Sequence, residues 1–201
     1  MARPPEPKLA TRARILSAAK HLFQQRGYHA VGTAEIVAEG GATKGSMYHH
    51  FPEGKERIAC EVVEAIRDDV LARLDALDES GLGAAAQVEA LAEGMARWLE
   101  ASRYREGTLL ASLAVGAVPD APHLQHALAQ ALDAWRSRLT ALLVQTGLRR
   151  QPARALAQTV LAALEGALLI ARIDGDARVV LEVARTLRGL IERSAEAQTK
   201  S

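Results

Sequence analysis

The sequence predicts an all-α protein, and three features of its 201 residues carry that expectation. The apolar share is 49%, built mostly from Ala and Leu, both strong helix formers. Aromatic residues reach only 3% and β-branched runs are short, so sheet is disfavoured. Apolar positions then recur every three or four residues through successive segments, which is the spacing of one helix face.

Residues 1–9, with Pro4, Pro5 and Pro7, read as a flexible arm. From Ala10 to Arg26 the residues Ile15, Ala19, Leu22 and Phe23 mark a first helix, and Gly27 ends it in a left-handed turn. Tyr28 to Gly32 connect. Thr33 is placed to cap a second helix, Ala34 to about Glu39, by accepting a backbone N–H. Gly40 and Gly41 break that helix, and two adjacent glycines imply a loose turn. Thr43 caps a third short helix ending near His50. After Phe51 and Pro52 a long fourth helix runs from about Gly54 to Glu79, with Ile58, Val62, Ile66, Val70, Leu74 and Leu77 on one stripe.

Ser80 to Gly83 is a clean break before a fifth helix, Ala84 to Ser102, and a sixth, about Thr108 to Val118. Pro119 and Pro122 punctuate the next junction, where Asp120 or Ala121 precedes a seventh helix reaching about Thr146, with Gly147 as its stop. Pro152 opens the eighth helix, which ends near Ile173. Between Ala155 and Ile173 its only charges are Glu165 and Arg172, so more than one of its sides must be covered. The turn Asp174 to Asp176 leads to a ninth helix with Val180, Val183, Ala184, Leu187, Leu190 and Ile191 on one stripe. Ala195 to Ser201 read as a frayed tail.

Composition excludes several classes. The single cysteine, Cys60, makes no internal disulfide, which fits a reducing compartment and not a disulfide-stapled secreted scaffold. The opening MARPPEPKLATR lacks an apolar core of signal-peptide length. No run of about 18 apolar residues is free of charge, so no membrane helix is expected, and the chain reads as soluble and cytoplasmic. The net charge of +1 hides an asymmetry. Residues 1–57 hold nine Lys and Arg against five acids, while the rest holds sixteen against nineteen. A basic first quarter on a mildly acidic body suggests a head that binds a polyanion.

Residues 33–51, TAEIVAEGGATKGSMYHHF, place two short helices around a glycine turn. That is the helix-turn-helix, whose second helix enters the DNA major groove. Thr43, Lys44, Ser46, Tyr48 and His49 can all donate to phosphates or base edges. Gly45 removes bulk where the helix approaches the duplex. Ile36, Val37, Ala42, Met47 and Phe51 supply a small core that locks the helices together.

These residues, with TRARILSAAKHLFQQRGY before them and PEGKERIACEVVEAI after, closely resemble the N-terminal domain of TetR-type regulators over residues 11–66. The PEGK junction and the later LEGALLIARIDGD resemble the LmrA/YxaF branch. The resemblance implies that Thr33, Lys44, Tyr48 and Lys55 contact phosphates, and that Thr43, Gly45, Ser46 and His49 face the groove. Lys55 also opens the fourth helix, where backbone N–H groups favour a phosphate.

The domain organisation expected is an N-terminal arm with a three-helix helix-turn-helix head over residues 1–53, and a helical ligand-binding and dimerisation bundle over 54–201. The eighth and ninth helices, near 152–173 and 176–194, offer more apolar face than one short bundle buries, so a two-fold homodimer through them is expected. Two heads would then read matching half-sites of a double-stranded operator. The resemblance adds a small-molecule inducer site in the body, for which Met95, Trp98, Trp135 and Leu139 are the candidates. A Trp at helical spacing serves the core more often than a pocket.

No catalytic group, cofactor or metal site is expected. Ser46 and His50 lie four apart without an orienting acid, His123 and His126 lack a third ligand, and His49 and His50 point apart on a helix. Cys60, without a resolving partner, reads as a half-buried structural thiol. Glu165 needs a partner, either an arginine or a polar group of an inducer, with the structural pairing favoured. Arg149 and Arg150 read as a helix-end loop in water. The competing functions are an all-helical enzyme or carrier, which would need a polar cluster in the body, and a non-specific nucleic-acid binder, which would ignore sequence.

Overall fold

The computed structural model describes residues 8–117 and 120–199. Among these, nine helices follow one another without a strand: α1 (Lys8–Arg26), α2 (Thr33–Glu39), α3 (Lys44–His50), α4 (Lys55–Glu79), α5 (Ala84–Ala101), α6 (Leu109–Ala117), α7 (Pro122–Val144), α8 (Arg150–Asp174) and α9 (Arg178–Thr199). Most of the expected N-terminal arm and the Val118–Pro119 junction lie outside the described residues.

Three helix ends differ from the sequence expectation, each for a hydrogen-bonding reason. Thr33 does not cap α2. Gly32 takes that place in extended backbone, and its carbonyl accepts the N–H groups of Glu35 and Ile36 at 3.2 and 3.1 Å, so Thr33 becomes the first helical residue. Helix α8 starts at Arg150, not at Pro152. The first intrahelical bond runs from the N–H of Ala153 to the Arg149 carbonyl at 3.0 Å, so Pro152 occupies a position whose N–H would have no partner within the helix. The expected frayed tail is helical through Thr199, and the Gln198 side chain accepts the Arg149 N–H at 2.7 Å, tying α9 to the start of α8.

The chain divides into two compact units, Met1–Ile66 with Leu109–Ala129 and Arg67–Thr108 with Gln130–Ser201. In the first, α1, α2 and α3 close around Ile15, Ala19, Phe23, Val31, Ile36, Met47, Phe51 and Ile58, all fully buried. Helix α6 and the opening of α7 belong to this unit, beyond the head drawn at residue 53. Helix α6 packs on α1, and the N–H of Tyr28 donates to the Ser112 carbonyl at 3.4 Å. The Glu56 carboxylate accepts the N–H groups of His123 and Leu124 at 3.0 and 3.4 Å and so caps α7 from a distant part of the chain. Glu61 receives both Arg12 and, at 2.9 Å, Arg57. Cys60 is 5% exposed, and burial with the nearby Glu56 charge pushes its thiol up to about 11, which disfavours the thiolate at neutral pH.

In the second unit α5, α8 and α9 pack on one another around Val88, Leu99, Val160, Leu164, Leu168, Val180, Leu187 and Ile191. Polar ties fix the helices: Arg138 donates to Asp75 at 2.6 Å and Asp78 at 2.9 Å, and Arg188 reaches Glu89 at 2.6 Å. Helix α8 is long and apolar enough to cross a membrane by length and composition, a test that counting only charge-free runs did not anticipate. A core helix of a soluble protein passes the same test. One stripe of α8, Leu156, Val160, Leu164, Ala167 and Ala171, is buried, whereas Leu169, Ile170 and Ile173 remain exposed, the last at 75%.

Candidate nucleic-acid interface

The turn between α2 and α3 is tight, not loose, and its two glycines serve different needs. A Cβ on Gly40 would meet the Ile36 carbonyl at 3.2 Å and the backbone of Arg14 and Ile15 at 3.3 Å, so any side chain there would crowd the turn against α1. Gly41 adopts φ +57°, where glycine carries no Cβ penalty. Arg14 then clamps the turn from α1: its Nε donates to the Gly40 carbonyl at 3.0 Å and its Nη2 to that of Gly41 at 3.4 Å. Thr43 caps α3 as expected, with its hydroxyl accepting the Ser46 N–H at 3.1 Å.

This framework sorts the residues of α3 by side. Met47 is fully buried against the head and Phe51 closes the helix, its N–H donating to the Met47 carbonyl at 2.8 Å. Thr43, Lys44, Gly45, Tyr48 and His49 are exposed, and Ser46 is half-buried. Tyr48 keeps 43% of its surface free, a large aromatic face with no core task. Space around the Gly45 Cα is open, so this side of the helix start is bare backbone. His50 lies edge-on to Phe51, with ring centroids 6.3 Å apart, and Ser46 and His50 are joined by no hydrogen bond among the described residues. Val37 and Ala42, assigned to the small core, are half-buried at its edge.

The two outlying candidates sit differently. Thr33 is half-buried in the first turn of α2. Lys55 opens α4, but its Nζ donates to the carbonyls of Tyr28 and Val31, both at 3.2 Å, and lies 4.1 Å from the centre of the Tyr28 ring. Burial pulls its pKa below the usual lysine range. Two of its three N–H donors are therefore engaged in holding the loop between α1 and α2. Sequence patterning had no means of finding these carbonyl partners, more than twenty residues away.

Of the four pocket candidates, Trp135 and Leu139 are buried on α7 and Met95 and Trp98 half-buried on α5. The Trp135 indole donates to the Arg67 carbonyl at 3.2 Å and that of Trp98 to Glu106 at 3.1 Å. Met95 and Trp98 pack against the core of the second unit that includes Leu139. His123 and His126 are exposed on α7.

Glu165 has a partner, although not the arginine favoured by its sequence context. The Thr108 hydroxyl donates to its Oε2 at 2.6 Å. Burial holds the carboxyl above its usual range, and the Thr108 bond opposes that shift only in part. A folded-state pKa above the unfolded one means that stability is greatest below the ordinary glutamate value of 4.5 and falls as pH rises through the raised value. Glu165→Gln is accordingly expected to stabilise the protein at pH 7 by about 1 kcal/mol, or roughly 2–4 °C in Tm for a chain of this size. The gain should vanish below pH 4.5. Thermal melts of both forms across that range check it, and a gain of the same size at every pH would refute the buried-charge account.

Two family models cover much of the chain. The model for bacterial regulatory proteins of the tetR family matches residues 15–62, and that for the LmrA/YxaF-like transcriptional regulator C-terminal domain matches residues 84–186. The HTH-type transcriptional regulator LmrA of Bacillus subtilis is 30% identical over 183 residues, covering 91% of this chain and 97% of the relative. YxaF of the same organism, an uncharacterised HTH-type transcriptional regulator, is 28% identical over 91% of this chain and 96% of its own length. A TetR-family transcriptional regulator from Agrobacterium tumefaciens shares the fold, with a TM-score of 0.80 at 24% identity over 93% of this chain and 98% of that one. With the helix-turn-helix built as described and both halves of the chain matched, the protein belongs to the TetR family of DNA-binding transcriptional regulators, in its LmrA/YxaF-like branch.

Proposed function

We propose that the protein is a homodimeric, cytoplasmic repressor that binds one operator sequence and releases it when a small-molecule inducer occupies the second unit. The observation that carries this reading is the division of α3, with Met47 locked inward while Thr43, Lys44, Gly45, Tyr48 and His49 face out. In the proposal Lys44 and Tyr48, with Thr33 and the spare donor of Lys55, contact phosphates. Thr43, Gly45, Ser46 and His49 face base edges. The uncovered Leu169, Ile170 and Ile173 on α8 support burial against a second copy, together with α9.

The inducer site is proposed along Met95, Trp98, Trp135 and Leu139. Trp135 and Leu139 are closely packed, so a ligand there must favour a rearranged core. It relieves repression only if it binds the non-gripping arrangement more tightly. Helix α4 supplies residues to both compact units and is the element through which such a preference would reach the head.

A gel-shift competition tests the reading. Duplex from upstream of the protein's own gene, set against random duplex at fixed salt, should win by roughly a thousandfold or more. Equal competition would leave a charge-driven, non-specific binder instead.

A further inference from the structure

A basic cleft lies between α7 and the start of α8, within the second unit. It encloses about 310 Å³ and is lined by Arg136, Ser137, Thr140, Val144, Arg150 and Arg154, with Ala141 at its side. Three arginines thus line one small space. Arg136 donates Nη1 to Gln158 at 3.1 Å and Nη2 to Asp133 at 2.5 Å, while its Nε is buried and has no hydrogen-bond partner. Asp133 offsets one of the three charges. The first turn of α8 holds no acid, and Arg149, Arg150 and Arg154 crowd the positive end of its dipole, where cations are disfavoured.

We propose that this cleft binds a small molecule bearing phosphate or carboxylate groups, held by Arg136, Arg150 and Arg154. An oxyanion in the cleft offsets the excess positive charge of Arg150 and Arg154, which no acid of the first turn of α8 balances, and complements the α8 dipole. Guanidinium forks match the planar, multidentate oxygen pattern of such groups. The volume lies at the lower end for small-molecule sites, which suits a compact metabolite. The site is separate from the apolar patch on the same helix, since Arg154 and Leu169 stand ~22 Å apart along α8. It uses no residue of α2 or α3 and none of the proposed inducer residues, so it stands or falls independently of the regulatory reading.

The test uses the full-length protein with inorganic phosphate and, separately, citrate, at an ionic strength held constant with sodium chloride. Thermal shift should show a saturable rise in Tm that chloride does not reproduce. The better of the two anions identifies which oxyanion the cleft prefers. Arg150 and Arg154 are exposed, so the double variant Arg150→Gln with Arg154→Gln leaves the core intact and should bind at least tenfold more weakly. An equal rise in parent and variant, or no rise in either, overturns the proposal. So does a variant whose dimer dissociation constant changes in sedimentation without any anion response, which would assign the cleft to the contact between copies.

Discussion

Phe51→Ala is expected to destabilise the protein by about 3–5 kcal/mol, the range for emptying a buried aromatic site. Phe51 is fully buried, closes α3 through its N–H to the Met47 carbonyl, and carries the Arg12 guanidinium 5.4 Å from its ring centre. Removing the ring leaves a void in the buried head, takes away the edge-on partner of His50 and strips Arg12 of a cation–π partner. Because these contacts hold α3 in place, loss of DNA binding should accompany the loss of stability. Phe51→Leu keeps most of the volume and should cost about 1 kcal/mol. Urea unfolding followed by circular dichroism measures both. A Phe51→Ala cost under 1 kcal/mol would show that the head does not depend on this residue.

Lys44→Ala and Tyr48→Ala should produce the opposite pattern, with weak binding and intact folding. Both side chains are exposed, so each substitution is expected to leave stability within about 0.5 kcal/mol and the oligomeric state unchanged. Each should lower operator affinity by about 1–3 kcal/mol, roughly ten- to a hundredfold. Lys44 carries the charge, so its removal should also reduce the salt dependence of binding by about one counterion, whereas loss of Tyr48 should leave that slope unaltered. Fluorescence anisotropy over a salt series separates the two effects. If neither variant weakens binding, α3 is not the element that meets the duplex.

What local sequence determined is visible in the helix-turn-helix. Its governing interactions span a few residues: the Thr43 hydroxyl reaches Ser46, Gly41 turns the chain with its own φ, and the alternation of Met47 with Tyr48 and His49 follows from helical periodicity. A pattern of that range is written in consecutive letters, which is why the head and the order of nine helices could be read from them. The same holds for the outward-facing residues of α3.

What only the tertiary structure decided involves partners far apart in the chain. Glu56 caps α7 across 67 residues, Thr108 meets Glu165 across 57, and Lys55 turns to carbonyls 24 and 27 residues before it. Arg14 clamping the Gly40 carbonyl, and α6 packing with the head, have the same origin. Propensity and periodicity fix where helices form and which face they bury. A charged or polar side chain commits to one partner only when packing removes water from around it, and that packing is a property of the folded chain.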